Sequence, residues 1–287
     1  MLGLKSPPDH WFPAPLDGDH LQVTYLGTAG FVLHNAERTL VLDPFINRPS
    51  LARTLFGQLP SHPEPVQRLI PHADDVLIGH AHYDHILDAP TLCQQTGARL
   101  IGSSATLMVG RAAGLPESQL LQARGHEPLA CGNWTVRALP SVHGKALFGR
   151  IPLPGDITSP PPWPPTLRDL RHGQVFNWWI DTNGLKVVHI DSADFIDAEL
   201  AHHQADVVCL CAIGRRYRPH YVRDVVRLLQ PRWIIPCHWD TMITPIDARP
   251  QLLPGVDLPG FIDEIRAQGV TPLLTPILGK HAFPCCN

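Results

Sequence analysis

His80, His82, Asp84 and His85 fall within six residues of one another, in the run DVLIGHAHYDHILDAP from Asp75 to Pro90. Three imidazoles and a carboxylate are the donor types that borderline divalent metals prefer. Asp75 to Gly79 reads as a short buried strand and Asp88 to Gly97 as a helix, so this H-x-H-x-D-H cluster sits on a strand-to-helix connection. In extended backbone alternate side chains share a face, which lets His80 and His82 reach one ion together. The turn that follows swings adjacent Asp84 and His85 toward a second. The bland alternative is a surface loop whose four polar side chains are satisfied by water.

Further acids and imidazoles follow other apolar runs. Thr39 to Leu42 leads to Asp43, Trp134 to Leu139 leads to His143, Leu185 to Ile190 ends at Asp191, and Trp233 to Pro236 delivers His238. A lone histidine in such a place is more often structural. Five acid or imidazole residues, each just after a strand, point instead to one edge of a sheet, where open α/β folds build their sites.

The elements that carry these residues are legible from β-rich runs and turn signals. Leu21 to Gly27, Phe31 to His34 and Thr39 to Leu42 read as an antiparallel meander. Asp88 is a plausible N-cap and Gly97 a plausible helix stop. Arg99 to Gly102 is a strand and Ser104 to Gly114 a helix. Val175 to Ile180 and Leu185 to Ile190 form a hairpin, Asp206 to Ala212 a buried strand, and Val222 to Leu229 an amphipathic helix. Strands precede helices repeatedly, so the class is α/β, or α+β in layers. Between residues 145 and 173 lies a proline-rich insert whose run ITSPPPWPPTL cannot join a central sheet.

A formal net charge of -3 gives no global basic field, so neither nucleic acid nor an anionic membrane is expected as a partner. Seven cysteines, an odd number at irregular spacing, do not read as a disulfide framework. Residues 1–20 lack a signal-peptide apolar run, no stretch reaches the length of a membrane span, and a cytoplasmic protein is expected. The domain reading is an N-terminal extension over 1–20, one domain over 21–276, and a C-terminal tail over 277–287 carrying Cys285 and Cys286.

The order Asp43, then His80 to His85, then His143, Asp191 and His238 resembles the metallo-β-lactamase-fold hydrolases, over nearly the whole chain from about Leu21 to Pro276. Gly27 to Leu33 leading to Leu42-Asp43-Pro44 is similar to the opening of the branch that holds the ascorbate-phosphate lactonases and the N-acyl-phosphatidylethanolamine phospholipase D enzymes. Pro236 to Met242 is similar to that branch's closing H-W-x-T segment. The resemblance implies an αβ/βα sandwich, two mixed β-sheets face to face with helices outside. It implies that His80, His82 and His143 hold one metal, that Asp84, His85 and His238 hold a second, that Asp191 bridges them, and that Asp43 supports the site from behind. Two departures matter. Ile190-Asp191-Ser192-Ala193 replaces the family's Gly-Asp-Thr-Gly, which keeps Asp194 open as the bridging residue, and Val142-His143-Gly144 differs from the phospholipase D pattern.

The donors themselves suggest the chemistry. Two divalent ions, zinc by default with manganese or iron as alternatives, share a metal-bridging hydroxide and polarise a carbonyl or phosphoryl oxygen. Asp84 is the residue expected to orient that nucleophile. A small or lipid-like substrate with one anionic group and an ester, lactone or phosphodiester bond follows from the loop Ile213 to Tyr221, whose Arg215, Arg216, Arg218 and Tyr221 are placed to read phosphate or carboxylate. Phe148, Trp163 and Trp178 or Trp179 are expected as an apolar wall across the mouth. Competing readings are an RNA or DNA phosphodiesterase, which lacks a basic arm here, an iron-dependent sulfur dioxygenase, and an inactive metal-binding scaffold.

Overall fold

Alternation with a period of two divides the strands of the first half between two cores. Leu40, Leu42, Leu77 and Ile101 point to one side and join the core between the sheets. Their neighbours Val41, Val76 and Leu100 point to the other and join a second core under the helices. Strands buried on both faces in this way belong to the middle of a layered structure. The computed structural model, which describes residues 4–286, has that arrangement.

In the first sheet run β1 (Leu21–Gly27), β2 (Gly30–His34), β3 (Thr39–Leu42), β4 (Asp75–Leu77), β5 (Arg99–Gly102) and β6 (Leu120–Gln122). The second holds β7 (Pro128–Cys131), β8 (Trp134–Ser141), β9 (Val175–Asp181), β10 (Lys186–Ile190), β11 (Val207–Cys211), β12 (Trp233–Cys237) and β13 (Thr271–Pro272). A last strand, β14 (Lys280–Phe283), returns to the first sheet. The orders are β14-β1-β2-β3-β4-β5-β6 and β13-β12-β11-β10-β9-β8-β7. In both, one part is antiparallel and the other parallel, the change falling at β3 in the first sheet and at β10 in the second. Helices Ala89–Thr96 and Ser104–Ala112 cover the first sheet, and Tyr221–Leu229 and Leu258–Ala267 the second. This is the expected αβ/βα sandwich of two mixed sheets with outer helices.

Three features differ from the sequence reading. Residues 280–283, read as part of a tail, pair with β1 in antiparallel register, and the Cys286 amide donates to Gly184 O at 2.7 Å. The N-terminal extension packs on the domain, its Leu16 amide donating to His281 Nδ1 at 3.1 Å. Asp88 does stand at a helix start, but its carboxylate accepts from the amides of Ile46 and Asn47 at 2.6 and 2.7 Å instead of capping its own helix. Asp88 therefore fixes the chain just after Asp43.

Candidate metal centre

At the end of the sandwich where β4 and β12 terminate, the sheets are tied to each other by hydrogen bonds. The Phe176 amide of β9 donates to Gly79 O at 2.8 Å, and the His238 amide donates to Thr28 O at 2.6 Å. His189 Nε2 lies 2.8 Å from Ala29 O. These ties bring strand ends from both sheets within side-chain reach of one another.

The backbone there is bent in ways that aim side chains. Asp43 and His238 both have positive φ, 41° and 55°, a region that non-glycine residues seldom occupy and that concentrates at functional sites. Beyond β4 the chain bends at Gly79 and again at His82, and a single helical turn, Tyr83–Ile86, then carries Asp84 and His85 round to the other side. Gly79 is required by close approach: a Cβ on it would lie 2.1 Å from Asp191 Oδ2.

Three groups of ligand atoms result, each within 4.8 Å: His80, His82 and His143; Asp84, His85 and His238; and, between them, His80, His85 and Asp191. Asp191 thus stands beside one member of each outer group, its Oδ2 being 2.6 Å from His80 Nδ1 and 3.6 Å from His85 Nδ1. Asp84 Oδ2 lies 3.2 Å from His238 Nε2 and 3.7 Å from His85 Nε2. All but His143 are buried.

Electrostatics suit this donor set to cations. Burial, reinforced by the neighbouring imidazoles, lowers His80 well below the usual range and pushes His82 down to about 3. Burial likewise takes His143 down to about 4. Neutral imidazoles keep a lone pair for a metal. The His143 Nδ1 proton goes to Gly144 O at 2.7 Å, which leaves Nε2 as its free donor atom. Burial opposes a proton on His85, yet Asp84 and Asp43 together raise it to about 9. So raised, the ring carries two protons: the one on Nδ1 points to Asp43 Oδ2 at 2.8 Å, with Asp43 Oδ1 accepting from the Gly79 amide at 2.8 Å, and the one on Nε2 is what a metal ion would displace. A carboxylate behind a ring nitrogen is the usual way of fixing which nitrogen of a ligating histidine faces the metal. Burial on its own raises the Asp84 carboxyl, but His85 and His238 outweigh it and hold the group well below the ordinary carboxylate range. Asp191 Oδ1 and His238 Nδ1 are buried without a hydrogen-bond partner. Unprotonated nitrogens, carboxylates and orphaned atoms converging in one place fit divalent cations.

A cavity of about 420 Å³ opens above this cluster. Leu51, Leu55, Leu153, Ile213, Ile243 and Leu253 form much of its wall. The proline-rich insert contributes Pro152 and Leu153, and its His172 stacks on His143 with ring centroids 5.7 Å apart. Gly79, His172 and the leucines of Leu51–Phe56 were not singled out from sequence. Gly79 carried a usable signal, a glycine between a buried strand and the first histidine; His172 carried none.

The residues expected to read an anion lie elsewhere. Arg215 donates to Asp257 O at 3.0 Å, approaches Glu264 at 3.4 Å and packs over the Phe261 ring. Arg216 packs over Tyr217, and Arg218 is paired with Asp194 and Asp197. Asp194, the fallback bridging residue, is thereby occupied outside the cluster. Tyr221 is buried against Phe261. Trp163 packs in the helix-side core, Trp178 lies between the sheets, and the Trp179 indole donates to Gln204 O. None of these residues lines the cavity; from their loop only Ile213 does. The physical reason is local: Arg215 is held by Asp257 and Glu264, Arg218 by Asp194 and Asp197, and Arg216 by the Tyr217 ring and hydroxyl. Among the described residues no helix is long and apolar enough to cross a membrane.

The chain is 27% identical over 225 residues to a "UPF0173 metal-dependent hydrolase" of Pyrobaculum arsenaticum, covering 77% of this chain and 85% of the relative. Its fold is similar to that of an isothiocyanate hydrolase from Delia radicum gut bacteria, with a TM-score of 0.60 at 15% identity over 91% of this chain and 99% of the other. It is similar, too, to CmlA, a diiron beta-hydroxylase from Streptomyces venezuelae, with a TM-score of 0.59 at 16% identity over 93% of this chain and 54% of that one. The family model described as "Beta-lactamase superfamily domain" matches residues 22–238, a span that runs from β1 to the last strand-end histidine. The chain is a member of that superfamily, a metal-dependent hydrolase of the metallo-β-lactamase fold.

Proposed function

We propose that the protein hydrolyses an ester, lactone or phosphodiester bond at a two-metal centre. His80, His82 and His143 would hold one ion, Asp84, His85 and His238 the other, with Asp191 between them. The observation that carries this reading is the middle group, in which Asp191 stands beside one member of each outer trio. Bound there, two divalent ions, zinc by default, supply an acidified water and polarise the oxygen of the scissile bond.

The chain's own residues do the rest. Asp84, kept ionised by His85 and His238, accepts a hydrogen bond from the attacking water and orients it. Asp43 holds the His85 ring so that Nε2 faces inward. Gly79 leaves room for Asp191 to approach. The apolar wall limits access of bulk water.

The test is metal content of the purified protein by mass spectrometry, followed by a panel of carboxylic esters, lactones, phosphodiesters and short RNA. About two equivalents of metal with metal-dependent turnover on one of the first three classes supports the reading. Protein that binds no divalent metal after reconstitution sinks it.

A further inference from the structure

We infer that the part of the substrate remote from the scissile bond is an uncharged apolar chain, received by the wall of Leu51, Leu55, Leu153, Ile213, Ile243 and Leu253. This rests on the hydrolytic reading for its reaction, though not for its binding site. A first observation is the chemistry of the lining. Outside the metal cluster it holds no lysine or arginine among the described residues. Its remaining polar side chains are already engaged. Thr54 Oγ1 donates to Ser50 O at 3.1 Å, Thr241 bonds Thr244, Ser192 Oγ accepts from the Gly144 amide at 2.9 Å, and the Tyr83 hydroxyl faces Met242 Sδ at 3.5 Å. A second charge on a substrate would lose its water there and meet no lysine or arginine to pair with.

An independent observation is the helix Leu51–Phe56. Its one buried residue is Thr54, whereas Leu51 and Leu55 are 52% and 50% exposed. An ordinary surface helix turns its leucines to the core. Here the i, i+4 pair, which lies on one helical face, lines the cavity instead and contributes little to the fold. Such exposure of apolar surface is characteristic of a ligand groove, and a volume of about 420 Å³ is within the range of small-molecule sites. The wall is assembled from four other places in the chain as well, at Leu153, Ile213, Ile243 and Leu253, so it is a built surface and not one exposed helix.

For an ester of this kind, water oxygen bonds to the acyl carbon, the acyl C–O bond breaks, and a proton passes to the departing alkoxide. Each methylene moved from water to the wall should raise kcat/KM by about 3- to 4-fold until the cavity is full. The experiment uses the metal-loaded full-length protein and 4-nitrophenyl esters of acyl chains from acetyl to decanoyl, beside the same chains ending in a carboxylate. If the panel finds another bond class, the same chains are attached through that bond. Binding of 1-octanol and of ethanol is measured by calorimetry in parallel, so that the wall is tested even if no bond is cut. The expected result is a rising series, a fall of at least 10-fold for the carboxylate-ended chains, and octanol binding at least 10-fold tighter than ethanol. Leu55→Asn, at a half-exposed position that does not support the core, should flatten the series and weaken octanol. A flat series, a preference for carboxylate-ended chains, or octanol binding no tighter than ethanol overturns the inference. Loss of metal or of all turnover alongside tight octanol binding sinks the two-metal hydrolase reading and leaves this one standing.

Discussion

The two sheets have the same plan. Three antiparallel strands, β1-β2-β3 in one and β8-β9-β10 in the other, continue into three parallel ones, β4-β5-β6 and β11-β12-β13. Each meander gains one more strand at its edge, β14 beside β1 and β7 beside β8. Asp43 follows β3 and Asp191 follows β10, so the two acids occupy the same station in the two halves. Yet Asp43 reaches back to His85 and the Gly79 amide, while Asp191 reaches forward between the histidine groups. After β4 come His80 to His85; at the matching place after β11 come Ile213 and arginines paired to acids. After β12 comes His238, while after β5 comes Ser103, whose hydroxyl accepts from the Thr106 amide and caps a helix. The plan supplies stations at one end of the sandwich, and the side chain at each station decides whether it does chemistry or holds the frame.

Substitutions at matched stations can break this comparison. The largest effects are expected in the dense cluster after β4. His82→Ala or His85→Ala should remove metal and abolish hydrolysis, read by metal analysis and turnover; retained metal and activity in either would mean that the cluster is structural. Asp84→Asn comes next. It should keep its metal but lose kcat by roughly 10²- to 10³-fold with KM little changed, the size expected for a group that orients the attacking water. An unchanged kcat in fully metallated Asp84→Asn protein would exclude that role.

The paired acids give a smaller and sharper contrast. Asp191→Asn should lower metal occupancy outright. Asp43→Asn should weaken affinity by about 10- to 100-fold, the usual cost of losing the partner behind a ligating histidine. Equal effects at both positions, measured by metal titration, would erase the distinction between reaching forward and reaching back. Gly79→Ala should resemble Asp191→Asn more than Asp43→Asn, because its methyl would lie 2.1 Å from Asp191 Oδ2 and must displace it. A Gly79→Ala protein with full metal content would show that Asp191 has room to move.

Much of this was legible in the sequence, for identifiable reasons. Strands β3 to β5 are buried on both faces, β1 alternates, and the apolar runs are short and bounded by turns, so β1 to β5 stand close to where composition places them. The candidate ligands stood out because acids and imidazoles are rarely left at the ends of apolar strands without purpose. β14 was hidden because Lys280–Phe283 is short and gains its place only by pairing with Leu21–Thr24, a contact 260 residues away in the chain. The buried pair of Arg48 with Asp240, at 2.8 Å, ties the loop after β3 to the segment after β12 and has no local signature either. The cavity wall was illegible for a related reason: Leu51 and Leu55 look like core leucines until the fold turns them toward the cluster.

The arginine loop after β11 is where sequence and structure part most clearly, and it provides the smallest predicted effect. Three arginines near a predicted site suggest a reader of phosphate or carboxylate. Arg218 instead spans Asp194 and Asp197 and lies over Phe195, its guanidinium carbon 3.6 Å from the ring centroid. It joins the segment after β10 to the start of the Tyr221–Leu229 helix. Both carboxylates are partly exposed, so solvent weakens the pairs, and each is worth a few tenths of a kcal/mol. The ring contact adds a similar amount. Arg218→Ala should therefore cost about 1 kcal/mol of stability, a fall in Tm of roughly 2–4 °C for a domain of this size. KM should change less than about twofold for charged and neutral substrates alike, since the guanidinium has no route to the cavity from this position. Thermal melting by circular dichroism and paired Michaelis profiles test this. A KM that rises tenfold for anionic substrates only, with Tm unchanged, would return the loop to the site and make the halves more alike than their pairing suggests.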